Sequence, residues 1–309
     1  MSSSSCDLSD NGSLRDVGSN WLHCSVTKWE DSKMERPKTL SHEFAAEVFG
    51  TCTLIMFGDG VVASKQMQAA HTTGMVDTFG ANQFVNMGWG LGVTFGVLAA
   101  FESSGAHLNP AVTLSNVIFS NMSPARGLVY VVGQFLGAFL GALLVAINYV
   151  AFKGESALDN FFCTAPFEGV SNPNAFVQEV ICTALLVAGI FAIASGNPPV
   201  NKFHVAGFVG ALVFAIGNCF GAQTGYAMNP ARDLGPRLVW ALFYAAYGKP
   251  DLYQTVFMGS YWLIPVFAPL VGGPLGALMY KLCSHPEKQP EIAPATHKDF
   301  NDSVHKSEV

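Results

Sequence analysis

The chain has 309 residues, of which half are hydrophobic and only 12% charged, with a net charge of −6; an average soluble domain carries about 25% charged residues. A length that would otherwise suit two soluble domains is therefore too poor in charge for them, and mean hydropathy is +0.33. The acidic balance, with no basic patch interleaved with aromatics, excludes nucleic acid as a partner.

Residues 1–40 are polar and Ser-rich, which reads as a disordered tail. They hold no apolar core of a secretory signal, so the first apolar run must act as the membrane anchor. Trp21, Trp29 and the tail's Ser and Thr residues allow a second reading, a regulatory tail that docks on the cytoplasmic face or is phosphorylated. Six apolar runs then approach or exceed the ~20 residues that a bilayer crossing needs. They cover 44–63, 84–100, 127–152, 176–195, 205–221 and 256–280. Two shorter apolar stretches, 109–119 and 229–243, each lie between spanning runs. Short apolar segments in matched places of two halves are the signature of half-helices that line a site. The tail from 284 to 309 is polar again and ends Ser307-Glu308-Val309, which resembles a ligand for domains that capture a C-terminal carboxylate. The seven cysteines form no Cys-x-x-Cys pair, so no metal site is expected. No cofactor is expected, and no nucleophile–base constellation marks an enzyme.

Lys and Arg set the orientation. The two tails with 101–126 and 196–204 hold eleven of them, against five on the other side, which places both termini in the cytoplasm. The sequons at Asn11, Asn121 and Asn301 then face the cytoplasm and stay unglycosylated.

The chain repeats itself. Glu47-Val48-Phe49-Gly50-Thr51 matches Glu179-Val180-Ile181-Cys182-Thr183, and Ser104 to Ala111 matches Thr224 to Ala231. Each half, about 44–152 and 176–280, has three spans. An odd number makes the second half enter the membrane from the opposite side, so the repeats are inverted. Both halves carry Asn-Pro-Ala: Asn109-Pro110-Ala111 and Asn229-Pro230-Ala231. Asn is a strong N-cap and Pro suits the first helical position. Each box thus reads as the start of a half-helix, and inversion brings the two starts face to face at mid-membrane. An Asn whose oxygen caps its own helix has its NH2 left to donate. Two such donors suit a water or hydroxyl oxygen, and the converging positive dipole ends repel cations. A single box could be an ordinary helix start; two in matched places point to a pore.

These boxes, with the Ser-Gly-Ala-His-Leu-Asn-Pro-Ala and Asn-Pro-Ala-Arg-Asp runs, resemble the aquaporin (major intrinsic protein) family over about residues 41–283. The resemblance implies an all-α membrane channel with six transmembrane helices and two re-entrant half-helices, one pore per subunit, and a homotetramer in a membrane, here the plasma membrane. Asp233, directly after Arg232, resembles the glycerol-conducting branch, as do the run from Arg232 to Arg237 and the lengthened loops 64–83 and 243–255. Spacing from the boxes carries the family's selectivity filter onto Trp89, Gly217, Tyr226 and Arg232. Water-selective members usually have His where Gly217 stands, so Gly217 implies a wider opening. Trp89 and Tyr226 would face the carbon edge of a polyol, and Arg232 its hydroxyls. Trp89 also reads as an interfacial anchor and Gly217 as a helix-packing residue, whereas an intramembrane Arg is functional by default.

Glu47 and Glu179 would accept hydrogen bonds from the re-entrant loops, holding the carbonyls of Gly105, Ala106, His107, Gly225, Tyr226 and Ala227 toward the pore. A proton relay through the two Glu is the alternative. His107 beside the first box also invites a pH-sensing reading. The functional expectation is a passive channel for glycerol and water that excludes ions and protons. A water-selective channel is the alternative, and a secondary active transporter a more distant one. Apart from Asp233 and the two Glu, the sequence offers no embedded acid near the boxes to couple an ion.

Overall fold

The computed structural model describes residues 39–71, 78–153, 161–196 and 201–284. Both tails, with Trp21, Trp29, Asn11, Asn301 and Ser307–Val309, lie outside the described residues. The helices are α1 (Leu40–His71), α2 (Thr78–Ser104), α3 (Pro110–Phe119), α4 (Pro124–Lys153), α5 (Asn172–Ala194), α6 (Lys202–Phe220), α7 (Pro230–Ala246), α8 (Leu252–Thr255) and α9 (Leu263–Cys283). Six of them, α1, α2, α4, α5, α6 and α9, are long and apolar enough to cross a membrane. Their outer faces keep large apolar side chains exposed, such as Phe49, Leu128, Ile147 and Phe208. Water would penalise such faces and hydrocarbon does not. The protein is an integral membrane protein.

The halves pack by one rule. In the first, α1 lies against α2 and α4; in the second, α5 lies against α6 and α9. Across the halves α2 meets α6, α4 meets the half-helix α7, and α9 meets the half-helix α3. Exchanging the halves reproduces every one of these pairs, as two inverted repeats require. The axis runs between α2 and α6. A Cβ on Gly90 would stand 2.8 Å from the Gly210 carbonyl oxygen, and one on Gly210 2.6 Å from that of Gly90. Gly90 and Gly210 are separated by the same number of residues as Asn109 and Asn229. Matched close approaches recur at α4 and α9. A Cβ would lie 2.3 Å from Val48 O at Gly137 and 2.4 Å from Val180 O at Gly272. Small residues let these backbones meet, which is how packing without a hydrophobic force is achieved in lipid.

Several boundaries differ from the sequence expectation. The segment 64–83 is mostly helix rather than loop: α1 continues to His71 and α2 begins at Thr78. Residues 65–70 are strong helix formers, and Lys65 donates to Asn82 at 3.0 Å, tying the two extensions together. The second half-helix runs to Ala246. The last span starts at Leu263, not 256. Val256 caps the short α8, Met258 and Gly259 at φ 52° and 62° turn the chain before α9, and Arg237 Nη1 holds the Val256 carbonyl at 2.6 Å.

Candidate functional site

The two Asn-Pro-Ala boxes start the half-helices α3 and α7 and meet. Asn109 Oδ1 accepts from Ala111 N at 2.8 Å. Asn229 Oδ1 accepts from Ala231 N at 3.0 Å and Arg232 N at 3.2 Å. Pro110 and Pro230 occupy the first turns, where a missing N–H costs nothing. The amide nitrogens, expected to be left free, are partly spent. Asn109 Nδ2 donates to Met228 O, and Asn229 Nδ2 donates to Leu108 O, both at 2.8 Å. An amide nitrogen has two hydrogens, so each Asn locks the opposite loop and keeps one donor.

The loops before the boxes share a conformation that sequence comparison alone cannot show. Gly105, Ala106 and Leu108 have φ of 81°, 55° and 53°; Gly225, Tyr226 and Met228 have 81°, 42° and 51°. Non-glycine residues at positive φ cost energy and persist only where the surroundings over-determine them. The two buried glutamates supply that support. Glu47 accepts from Ser104 Oγ at 2.6 Å, His107 N at 3.0 Å, Leu108 N at 2.8 Å and Gln134 Nε2 at 2.7 Å. Glu179 accepts from Thr224 Oγ1 at 2.6 Å and from Ala227 N and Met228 N at 2.9 Å. The equivalent carbonyls of Ser104 and Thr224 are capped by phenols from different elements, Tyr130 at 2.9 Å and Tyr261 at 3.3 Å.

A cavity of about 250 Å³ passes the boxes. Asn109, Asn229, Gly105, Ala106, His107, Tyr226, Ala227, Trp89 and Arg232 line it, with an apolar remainder that includes Val93, Val97, Phe101 and Val209. Gly225 and Gly217 do not line it. His107 Nδ1 lies 3.1 Å from Thr113 Oγ1. The Arg232 guanidinium stacks 3.8 Å from the Trp89 ring centroid, and its buried Nη1 has no hydrogen-bond partner among the described residues. Trp89 is itself wedged against Gly58, where a Cβ would fall 2.2 Å from the indole. The space beside Gly217 is filled by the Tyr226 ring: a Cβ there would meet Tyr226 Cζ at 2.8 Å. Gly217 therefore makes room for the tyrosine.

Asp233 lies behind this wall, fully buried. It accepts from Thr164 N at 2.8 Å and Thr164 Oγ1 at 2.6 Å, and from Arg237 Nε and Nη2 at 2.9 and 2.8 Å. Arg237 Nη2 also holds Thr164 O at 2.9 Å. This network pins the 161–171 connection onto α7. Sequence reading named Arg237 only within the run that resembles the glycerol branch and missed its pairing role, for which the i,i+4 spacing from Asp233 was the available signal. It also missed Asp59. That residue of α1 is fully buried, neither of its oxygens has a hydrogen-bond partner among the described residues, and Arg232 and Asp233 act on it electrostatically. The expectation of no further embedded acid is thereby corrected; a lone Asp inside an apolar run was the signal.

A sequence model described as Major intrinsic protein matches residues 34–280. The chain is 39% identical over 249 residues to "Probable aquaglyceroporin-2" of Gibberella zeae, covering 76% of this chain and 70% of that protein. It is 36% identical over 243 residues to "Probable glycerol uptake facilitator protein" of Thermotoga maritima, covering 77% and 97%. Among solved structures, the aquaglyceroporin from Plasmodium falciparum superposes with a TM-score of 0.69 at 31% identity, covering 79% of this chain and 98% of that one.

Proposed function

The chain belongs to the major intrinsic protein family, and from that premise we propose that it is a passive membrane channel for glycerol and water that excludes ions and protons. The observation that carries this reading is that Trp89, Tyr226 and Arg232 line one cavity together. One wall is aromatic, Trp89 and Tyr226. Beside it Arg232 stacks on Trp89 at 3.8 Å, and its Nη1 has no hydrogen-bond partner among the described residues. A polyol has a carbon edge for the aromatic wall and hydroxyls for the guanidinium. An apolar cavity with few polar groups orients such a solute and releases it again.

Trp89, Tyr226 and Arg232 form the selectivity filter in this reading, and Gly217 shapes it through Tyr226. Asn109 and Asn229 each offer one amide hydrogen to a passing oxygen. The helix N-termini behind them keep cations out. Glu47 and Glu179 hold the loops, and Asp233 anchors the wall from behind. The apolar outer faces suit lipid and neighbouring subunits. The family relationship supports a homotetramer. The Lys and Arg distribution supports cytoplasmic termini, and the plasma membrane is the proposed location.

Purified protein in liposomes tests the reading by stopped-flow swelling in a glycerol gradient. Both water and glycerol permeability should rise over protein-free vesicles. Water permeability alone would favour a water-selective channel.

A further inference from the structure

The Tyr226 ring sits in a slot whose floor is two glycines one helical turn apart. A Cβ at Gly217 would stand 2.8 Å from Tyr226 Cζ, and one at Gly221 2.6 Å from Cδ1. Any side chain at either position would displace the ring. At the end of the slot the Tyr226 hydroxyl donates to Asn86 Oδ1 at 2.6 Å. Asn86 Nδ2 in turn donates to Asn218 Oδ1 at 2.7 Å. The three residues come from the loop before α7, from α2 and from α6. Asn86 and Tyr226 are each only 7% exposed.

The placement of the two amides sets the direction of this chain of bonds. An amide donates at one end and accepts at the other. With Nδ2 committed to Asn218, Asn86 turns its oxygen to Tyr226, and the phenol must be the donor. A phenol has a single proton. That proton is spent inside the protein, so the tyrosine lines the cavity as a carbon surface.

We infer that Asn86 and Asn218 are positioning residues for selectivity: they hold Tyr226 against Gly217 and Gly221 and keep its hydroxyl proton out of the lumen, leaving hydroxyl recognition at that level to Arg232. The inference rests on the placement of Tyr226 in the filter. It identifies what a tyrosine contributes there: an aromatic wall whose polar end is tied down, suited to the carbon edge of a small polyol.

The test is the glycerol-to-water permeability ratio in proteoliposomes for N86A, N218A, Y226F, Y226A and the N86A/Y226F pair. N86A frees the hydroxyl and lowers the ratio about fivefold, the equivalent of one net hydrogen bond. N218A shifts it the same way by less. Asn218 is exposed, so N218A keeps the test alive if N86A does not fold. Y226F has no hydroxyl to misplace and keeps the ratio within about twofold, since less than a net hydrogen bond is at stake. Adding N86A to it then changes nothing further. An equal N86A effect with and without the hydroxyl, or none in either background, overturns the clamp. Y226A separates the two levels of the argument. If it leaves the ratio unchanged, the filter reading fails as well; if it alone moves the ratio, only the clamp fails.

Discussion

Asn109 donates its side-chain nitrogen to the carbonyl of Met228 at 2.8 Å, on the opposite half of the molecule, and Asn229 returns the bond to Leu108 at the same distance. Each asparagine thus caps its own half-helix and braces the loop of the other. Replacing Asn109 with Asp keeps the cap acceptor and removes the brace, so that a carboxylate faces a carbonyl. N109D should lose about 1–3 kcal/mol of stability, as expected for a buried acceptor left without its donor. Thermal unfolding in detergent measures this, and N229D should behave alike because the two sites are equivalent.

Glu179 and Glu47 each accept three bonds from the stretch before their box, and Glu47 accepts a fourth from Gln134 of α4. E179L strips the acceptor from the N–H groups of Ala227 and Met228 and from the Thr224 hydroxyl, in a loop where Gly225, Tyr226 and Met228 are at positive φ. Each orphaned buried group costs about 1–3 kcal/mol. The variant should fail to reach a folded state, while Q134A should fold and unfold a few degrees earlier. Yield of monodisperse protein and the melting temperature distinguish them.

Asp233 and Arg237 form a buried pair 2.8 Å apart, with neither side chain exposed. Removing one partner of such a pair leaves an uncompensated charge and typically costs about 3–5 kcal/mol. R237M also frees the carbonyls of Val256 and Thr164. It should therefore melt well below D233N, which keeps an oxygen for Thr164.

Asp59 gives the rival transporter reading its one concrete foothold, since an acid buried at membrane depth is where a coupled proton would reside. The channel reading expects glycerol uptake to be non-saturable and equal with or without an imposed proton gradient, in the wild type and in D59N alike. Gradient-stimulated uptake that D59N abolishes would convert Asp59 into a coupling site.

Gly217 has sharpened the expected effect of a bulkier residue. Even G217A places a methyl 2.8 Å from Tyr226 Cζ and 3.0 Å from Asn86 Cγ. Both G217A and G217H should lower glycerol permeability more than water permeability, the His variant by more. Equal loss of both permeabilities would point to misfolding instead.

Much of the fold is readable from apolar runs and from the repeat, because a span in lipid has few alternatives to a helix. The boxes are readable because Asn and Pro act locally, as cap and first-turn residue. What escaped is non-local. The Asn109–Met228 brace joins halves far apart in the chain, and so does the Asn86–Tyr226 bond. Arg237 reads as one more charge until Thr164 and Val256 arrive from other segments. Gly217 could be placed by spacing, but that its emptiness is filled by a tyrosine ring depends on the φ of 42° at Tyr226, which no residue pattern encodes.

The most direct test is stopped-flow light scattering of proteoliposomes exposed to a glycerol gradient, for the wild type and R232V. The wild type should pass both glycerol and water with no proton leak, and R232V should admit ions or protons. A wild-type protein that passes water but no glycerol would contradict the account.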